Sequence, residues 1–466
     1  MNSPLVTIYI PCHNYGHYLE KAVNSVYEQS YKNWELFIID EGSSDDTIEI
    51  ANRLQNEHPD KVNVVINEKA IGLQRSANNI LKACKGKYIL RLDADDWLDE
   101  SALLIMVTKI EEDSQVGLVY GSYYYVDSDE NVIGIEKQYK LWDEDKSGLN
   151  PPHGACTLVR TRSLKAAGGY SEDVNAQDGW ELWFKLINRT KSASIDTPLF
   201  YYRQHNSSLS RNEKKLYNAR SQIFSKLREK IDGSYKPNVL AVIPVKESYP
   251  QFQGVPYTKI GEKSLLEHTI CVAQEVSAIT DIAISTESDS VIDFTEELMK
   301  EGKVKSVECI KRPSELSGDF IQLQQILSHA GNEITNTKGN PPDIILFLSL
   351  HAPLRDATSI SKALNVMLVT ESDTVVSVVE EREPIFMHSE NGIKLVGTGR
   401  FDGLFHRREQ VLKFNGNTIS VWWDIVESGS IWGEKIGYIE MTEQDSIQLK
   451  TPHSLPRILE EMVSKD

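Results

Sequence analysis

From Leu5 to Leu92 the chain repeats one pattern: a short β-branched or aromatic apolar run, a polar turn, then apolar residues at helical spacing. Leu5 to Ile10, Trp34 to Ile39, Val62 to Ile66 and Tyr88 to Leu92 read as strands. Tyr18 to Gln29 reads as a helix with Leu19, Val23 and Val26 on one side, and a second helix runs through Ile48, Ala51 and Leu54. Strands that are apolar at nearly every position are buried on both faces, which a parallel sheet covered by crossover helices achieves. Ligands of such sheets sit beyond the carboxyl ends of the strands. Pro11 to Asn14, Asp40 to Ser44 and Asp93 to Asp96 all fall at that end, so the polar residues of this α/β segment converge on one edge.

The pattern breaks and then restarts. Leu216, Ile223, Leu227 and Ile231 mark one face of a charged helix that Asp232-Gly233-Ser234-Tyr235-Lys236-Pro237 terminates. A new strand follows at Val239 to Ile243, and the alternation continues through Ile282 to Ser285, Ile344 to Leu348 and Thr374 to Val379. Two α/β domains in tandem are expected, residues 1–232 and 237–466, which suits a chain of 466 residues at about 150 residues per domain.

The net charge of -18, with no basic run, excludes nucleic acid as a partner. A phosphorylated substrate must instead be held locally, by a metal ion or a few placed cations. The cysteines, Cys12, Cys84, Cys156, Cys271 and Cys309, are odd in number and scattered, so a reduced chain without a thiolate zinc site is expected. Met1-Asn2-Ser3-Pro4 is not a basic leader and no apolar run reaches about 18 residues. The expectation is a cytoplasmic chain with no transmembrane segment, whose membrane contact, if any, is peripheral.

The densest charge is Leu92-Asp93-Ala94-Asp95-Asp96, straight after an apolar strand. Crowded carboxylates repel one another and are costly to desolvate, and they persist where a cation or hydrogen-bond donors compensate them. Taken alone, the cluster also reads as a solvated turn. It stands in a series, however. Val6-Thr7-Ile8-Tyr9-Ile10-Pro11-Cys12-His13-Asn14 opens it, followed by Ser25 to Tyr31 and by Glu35-Leu36-Phe37-Ile38-Ile39-Asp40-Glu41-Gly42-Ser43. Gly168-Gly169-Tyr170 and Gln177-Asp178-Gly179-Trp180-Glu181-Leu182-Trp183 close it. In this order, residues 3–212 resemble the inverting family 2 glycosyltransferases of the GT-A fold.

The resemblance implies transfer of a hexosyl or N-acetylhexosaminyl group from a nucleotide-sugar donor, UDP-linked, to a glycan or lipid-linked sugar acceptor in surface polysaccharide assembly. The departing nucleoside diphosphate is charged, and a hard Mn²⁺ or Mg²⁺ on carboxylate oxygen assists its departure. Asp95 is then the implied metal ligand, and Asp93 contacts the ribose or a metal-bound water. Asp40 accepts from a base N–H, while Pro11 and His13 line the base and ribose pocket. Glu41 stands where the family has Asp and keeps its charge; His13 stands where it often has Tyr. Asp178 matches the second position of the family's Glu-Asp motif, with Gln177 replacing the Glu, and is the implied base for the acceptor hydroxyl. By itself Asp178 reads as a helix N-terminal carboxylate favoured by the macrodipole. His205 lies where the family has a mobile segment over the diphosphate, and reads also as a structural histidine. Arg75 could reach phosphate, although the family's Arg-Asn pair registers on Ala77-Asn78. The acidic loop Trp142 to Pro152 lies where acceptors dock.

From Leu240 onward the chain resembles acylneuraminate cytidylyltransferases, through Ala241-Val242-Ile243-Pro244, Gly261 to Ile270, Arg312-Pro313-Ser314-Glu315-Leu316, Ala352-Pro353-Leu354-Arg355 and Val376 to Glu380. Both domains are then Rossmann-like folds of the nucleotide-diphospho-sugar transferase type. The chemical positions of the second depart from the family. Val245-Lys246-Glu247-Ser248-Tyr249-Pro250 replaces a Gly-rich phosphate loop, bringing a repelling carboxylate and a Pro without an N–H. Ser446-Ile447-Gln448-Leu449-Lys450-Thr451 replaces a segment of metal carboxylates. The expected domain has kept its core and lost its CTP chemistry, with Lys246, Lys263 and Arg355 left to hold an anionic sugar or nucleotide. The resemblance suggests a homodimer through this domain. The alternatives are a bifunctional enzyme that also forms a CMP-activated nonulosonic acid, and a non-catalytic scaffold for glycan assembly.

Overall fold

The computed structural model describes residues 3–136, 153–172, 178–187, 189–205, 213–230, 236–318, 320–389, 392–396 and 411–463. The chain divides into two units, Met1–Ile223 with Glu383–Glu409, and Phe224–Arg382 with Gln410–Asp466. The interruption expected at residues 232–235 lies outside the described residues.

The first unit runs β1 (Val6–Cys12), α1 (Gly16–Tyr27), β2 (Trp34–Asp40), α2 (Thr47–Glu57), β3 (Val62–Ile66), α3 (Leu73–Ala83) and β4 (Tyr88–Arg91). It continues with β5 (Trp97–Leu98), α4 (Ala102–Glu112), β6 (Val116–Val126), β7 (Val132–Glu136), β8 (Leu158–Arg160), α5 (Thr161–Ala166), α6 (Asp178–Ile187) and β9 (Lys191–Arg203). Helix α7 (Glu213–Lys230) follows. The sheet order is β3-β2-β1-β4-β8-β6-β9-β5, with β7 beside β6.

Strands β1 to β4 pair in parallel, as their unbroken apolar runs require. The rest of the sheet is mixed. β8 is antiparallel to both β4 and β6, which turns β6 back to the direction of β4, and β9 runs parallel to β6. β5 and β7 are antiparallel additions. β5 and β8 hold only two and three residues, too few to show a periodicity in sequence. β1 to β4, β6 and β9 therefore all deliver their carboxyl ends to one edge. Leu19, Val23 and Val26 of α1 are fully buried, joining Val6, Ile8 and Ile10 in one core. Full burial of each such side chain is worth about 1.5–3 kcal/mol.

The second unit contains β10 (Val239–Val245), β11 (Lys259–Ile260), β12 (Lys263–Ser264), α8 (Leu265–Gln274), β13 (Asp281–Thr286), α9 (Asp289–Lys300), β14 (Glu308–Lys311), α10 (Leu323–Lys338), β15 (Ile344–Leu348), α11 (Ala357–Thr370) and β16 (Thr374–Glu381). The ribbon β17 (Phe386–Ser389) and β18 (Gly392–Leu395) falls in the first unit's second segment, after which β19 (Val411–Trp422), α12 (Trp423–Glu427), β20 (Ile436–Glu440) and α13 (Leu455–Val463) complete the second. Its sheet, β14-β13-β10-β15-β19-β16-β20, is parallel on one side of β15 and has β19 inserted antiparallel on the other. Ser264 and Glu267 form a reciprocal capping box that starts α8 where the sequence places a helix. None of the five cysteines forms a disulfide, and no described helix is long and apolar enough to cross a membrane.

Candidate active site

The ends of β1 and β2 are level, with Cys12 paired to Asp40, and the turns that follow are laced together. His13 Nδ1 lies 3.0 Å from the Glu41 carbonyl, which can only accept, so Nδ1 carries the proton. Asn14 adopts a left-handed φ of 58°. Its N–H donates to Ser43 Oγ at 3.0 Å and its Oδ1 accepts from the Ser44 N–H at 2.8 Å. Asp40 is fully buried, and its carboxylate accepts from the Ser43 N–H at 3.1 Å. Pro11 sits one residue before the end of β1, partly buried. The structure thus brings Pro11, His13 and Asp40 to one corner.

Glu41 does something other than supply charge to that corner. Its carboxylate is buried and accepts from Asn67 Nδ2 at 3.1 Å, the Ile71 N–H at 2.9 Å, the Gly72 N–H at 3.3 Å and the Ser76 hydroxyl. These donors lie on the segment that leads into α3 and on its first turn. The extra methylene relative to Asp provides that reach, so the residue organises the wall of the site.

The acidic turn after β4 is the electrostatic centre. Arg91, itself buried, lies across the Asp93 carboxylate with Nε and Nη2 at 2.9 and 3.1 Å. Asp95 is largely buried, and its Oδ2 is 2.8 Å from His205 Nε2. Burial raises the Asp95 pKa above the ordinary carboxylate value; Asp93 raises it further, and His205 opposes the shift. Asp96 is 1% exposed and is pushed well above that value by burial, then by Asp95 and Asp93. Its Oδ1 accepts the Arg203 N–H at 2.9 Å, while Oδ2 has no hydrogen-bond partner among the described residues.

Arg203 is the residue that sequence reading passed over. It is 2% exposed, and its guanidinium donates to the Asp95 carbonyl at 3.0 Å, to Glu130 at 3.0 Å and to the Ser128 carbonyl at 3.3 Å. An Arg two residues before a candidate ligand, at the carboxyl end of a strand, was the available signal.

Asp178 opens α6, as the expected helix N-terminal carboxylate; its side chain, Gln177 and the loop 142–152 lie outside the described residues. The turn before it is tightly built. Asn78 donates to the Tyr170 carbonyl and accepts from the Tyr170 N–H, both at 2.9 Å. Gly169 has φ +71°, and a Cβ there would meet Asn78 Oδ1 at 2.4 Å. Glu181 binds both Lys185, at 2.6 Å, and Ser171. Arg75 is paired with Glu172 at 3.1 Å. In α3 it is thus Asn78 that holds the Gly168-Gly169-Tyr170 turn.

Asp95 and His205 are the side chains that could hold a divalent ion. Among the described residues no group of three His, Cys, Asp or Glu side chains is gathered for one. The carboxylate oxygen of Asp95 fits a hard cation whose remaining positions are filled by phosphate oxygens and water.

In the second unit, Glu247 accepts from Ser288 Oγ at 2.7 Å and from Tyr257 Oη at 3.3 Å. Tyr249 Oη meets His351 Nε2 at 3.2 Å. Arg355 is buried, donating to the carbonyls of Ser349 and Asn417, and burial lowers its pKa to about 9. Gln448 donates to the Asn415 carbonyl, and Lys263 and Lys450 are exposed. Lys246 approaches the Tyr249 ring at 5.8 Å.

A largely parallel α/β sheet with an acidic turn at the shared carboxyl edge places the first unit among proteins resembling GT-A transferases. Residues 7–168 match the family model described as glycosyl transferase family 2. The glycosyltransferase GlyG of Streptococcus pneumoniae is 31% identical over 244 residues, covering 48% of this chain and 79% of that protein. The chain belongs to glycosyltransferase family 2. The Escherichia coli protein named UDP-Glc:alpha-D-GlcNAc-diphosphoundecaprenol beta-1,3-glucosyltransferase WfgD is 26% identical over 247 residues, covering 52% of this chain and 91% of that one. Chondroitin synthase of Escherichia coli is 28% identical over 185 residues, covering 39% of this chain, and the match spans only 26% of that larger protein.

Proposed function

We propose that the first unit is a metal-dependent inverting glycosyltransferase that moves a sugar from a UDP-linked donor to a glycan or lipid-linked acceptor hydroxyl, in the cytoplasm, during surface polysaccharide assembly. The observation that carries this reading is Asp95, a shielded carboxylate under repulsion from Asp93 and set against His205 at the common edge of the sheet. Mn²⁺ or Mg²⁺ bound there would supply Lewis-acid assistance to departure of the diphosphate. Asp95 would hold the ion, Asp93 would face the ribose or a water on the ion, and His205 would lie over the diphosphate. Asp40, Pro11 and His13 receive the base and ribose. Asp178 takes the proton of the acceptor hydroxyl as its oxygen attacks the anomeric carbon; the bond to the diphosphate breaks on the opposite side and the nucleoside diphosphate leaves. The relative WfgD, named for UDP-Glc as its donor, supports the choice of donor.

The second unit, in this reading, is a cytidylyltransferase-like domain, Rossmann-like in plan, that serves as a binding or homodimerisation module. The engagement of Glu247 by Ser288 and Tyr257 supports the absence of a phosphate loop there. Thermal shift of the full chain against UDP-, GDP- and CMP-sugars, with and without Mn²⁺, tests both parts, because a ligand stabilises the fold it binds. Slow Mn²⁺-dependent release of UDP that disappears in Asp95→Ala is expected. No release from any nucleotide sugar overturns the transferase reading, and Mg²⁺-dependent CTP binding or pyrophosphate release with a nonulosonic acid overturns the reading of the second unit.

A further inference from the structure

We infer that Arg203 is a positioning residue, which fixes the direction in which the acidic turn presents the Asp95 carboxylate. The inference rests on the reading of Asp95 given above. Three acids crowd this turn, and both nearby guanidinium groups are committed elsewhere. Arg91 lies on Asp93. Arg203 reaches the main-chain oxygen of Asp95, at 3.0 Å, and leaves its side chain alone. The Arg203 N–H meanwhile takes Asp96 Oδ1 at 2.9 Å, turning that acid away from the edge. Asp93 is thus the one acid of the trio met by a guanidinium and Asp96 is buried on a main-chain N–H, which leaves the Asp95 carboxylate offered toward His205 and an incoming cation.

The guanidinium is itself rigidly seated. Its carbon lies 4.7 Å from the Tyr18 ring and 4.9 Å from the Trp97 ring. Nη2 binds Glu130, which also pairs with Lys21 of α1, and Nη1 binds the Ser128 carbonyl at the β6–β7 turn. One planar fork thereby ties the acidic turn to α1, to a hairpin and to the end of β9, two residues before His205. A lysine keeps the charge but cannot stack in this slot and make the same fan of hydrogen bonds.

Arg203→Lys separates geometry from charge, and Glu130→Gln removes the charge from one arm of the fork at a partly exposed site. Mn²⁺ binding to the UDP-loaded full chain, read by electron paramagnetic resonance, is expected to weaken about tenfold in Arg203→Lys, the lower end of the range seen when a group orienting a metal ligand is altered, and to weaken less in Glu130→Gln. UDP affinity in EDTA is expected to stay within about twofold in both, as an altered orienting group changes the ligand it supports and little else. Wild-type Mn²⁺ affinity in Arg203→Lys, or an equal loss of metal-free UDP affinity, overturns the inference. If the wild-type chain itself binds no Mn²⁺, the metal reading of Asp95 fails and Arg203 is judged on donor hydrolysis. There a fall in kcat with KM unchanged upholds a positioning role, and unchanged kcat in Arg203→Lys overturns it.

Discussion

His205 Nε2 meets Asp95 Oδ2 at 2.8 Å across 110 positions of sequence, with both side chains shielded from water. This contact joins the segment just beyond β9 to the turn after β4, and it sets the terms for the first test. Asp95→Asn keeps the shape and removes the charge. UDP release should fall by about 10³-fold, equivalent to losing several kcal/mol of transition-state stabilisation. The melting temperature should hold or rise, because repulsion with Asp93 is relieved. Release at the wild-type rate would remove this carboxylate from the chemistry.

Asp95 and Asp96 both have folded pKa values raised above the ordinary carboxylate value. Between the unfolded and folded values the folded state holds more protons, so stability is greatest in acid and is lost as pH rises through that window. Denaturant melts of the metal-free chain from the ordinary carboxylate range upward should show this decline, and Asp96→Asn should flatten it. An unchanged slope in Asp96→Asn would place the effect elsewhere.

Glu41→Asp restores the residue usual in the family, yet it should destabilise this chain by about 1–3 kcal/mol, since the shorter carboxylate cannot serve the buried donors of Asn67, Ile71, Gly72 and Ser76 together. Urea unfolding measures the cost. A neutral result would show that the segment before α3 adjusts to the shorter side chain.

Gly169→Ala forces a Cβ into a left-handed backbone and against Asn78 Oδ1. A loss of about 1–3 kcal/mol is expected from the backbone alone. If the Gly168-Gly169-Tyr170 turn orients α6, UDP release with an acceptor should suffer more than donor hydrolysis. Equal losses in the two assays would detach the turn from the acceptor side.

Much of this could be read from the chain because it is local. The strands β1 to β4 announce themselves by apolar runs, and the buried face of α1 by Leu19, Val23 and Val26. The acidic cluster is contiguous, and its place at a strand end follows from the run before it. The rest is hidden by distance in sequence. Nothing beside Glu41 hints that its carboxylate serves a segment some 30 positions later, with Ile71 and Gly72 at separations of 30 and 31. Arg203 looks like one more strand-end cation until its partners at Asp95 and Glu130 are seen. The mixed half of the sheet escaped because β5 and β8 are shorter than any period, and β9 pairs with β6 through register shifts.

The long span between the acidic turn and its partners has a further consequence, for the order in which the site is born. During synthesis the turn at Asp93 to Asp96 leaves the ribosome with its acids crowded and its two clasps, Arg203 and His205, still 108 and 110 residues from their contacts with Asp95. Closing so wide a loop is entropically slow and comes after the local β-α-β pieces have formed. The nascent chain therefore passes through a stage in which β1 to β4 are paired and the acidic turn is unclasped, and the arrival of β9 both extends the sheet and closes the clasp.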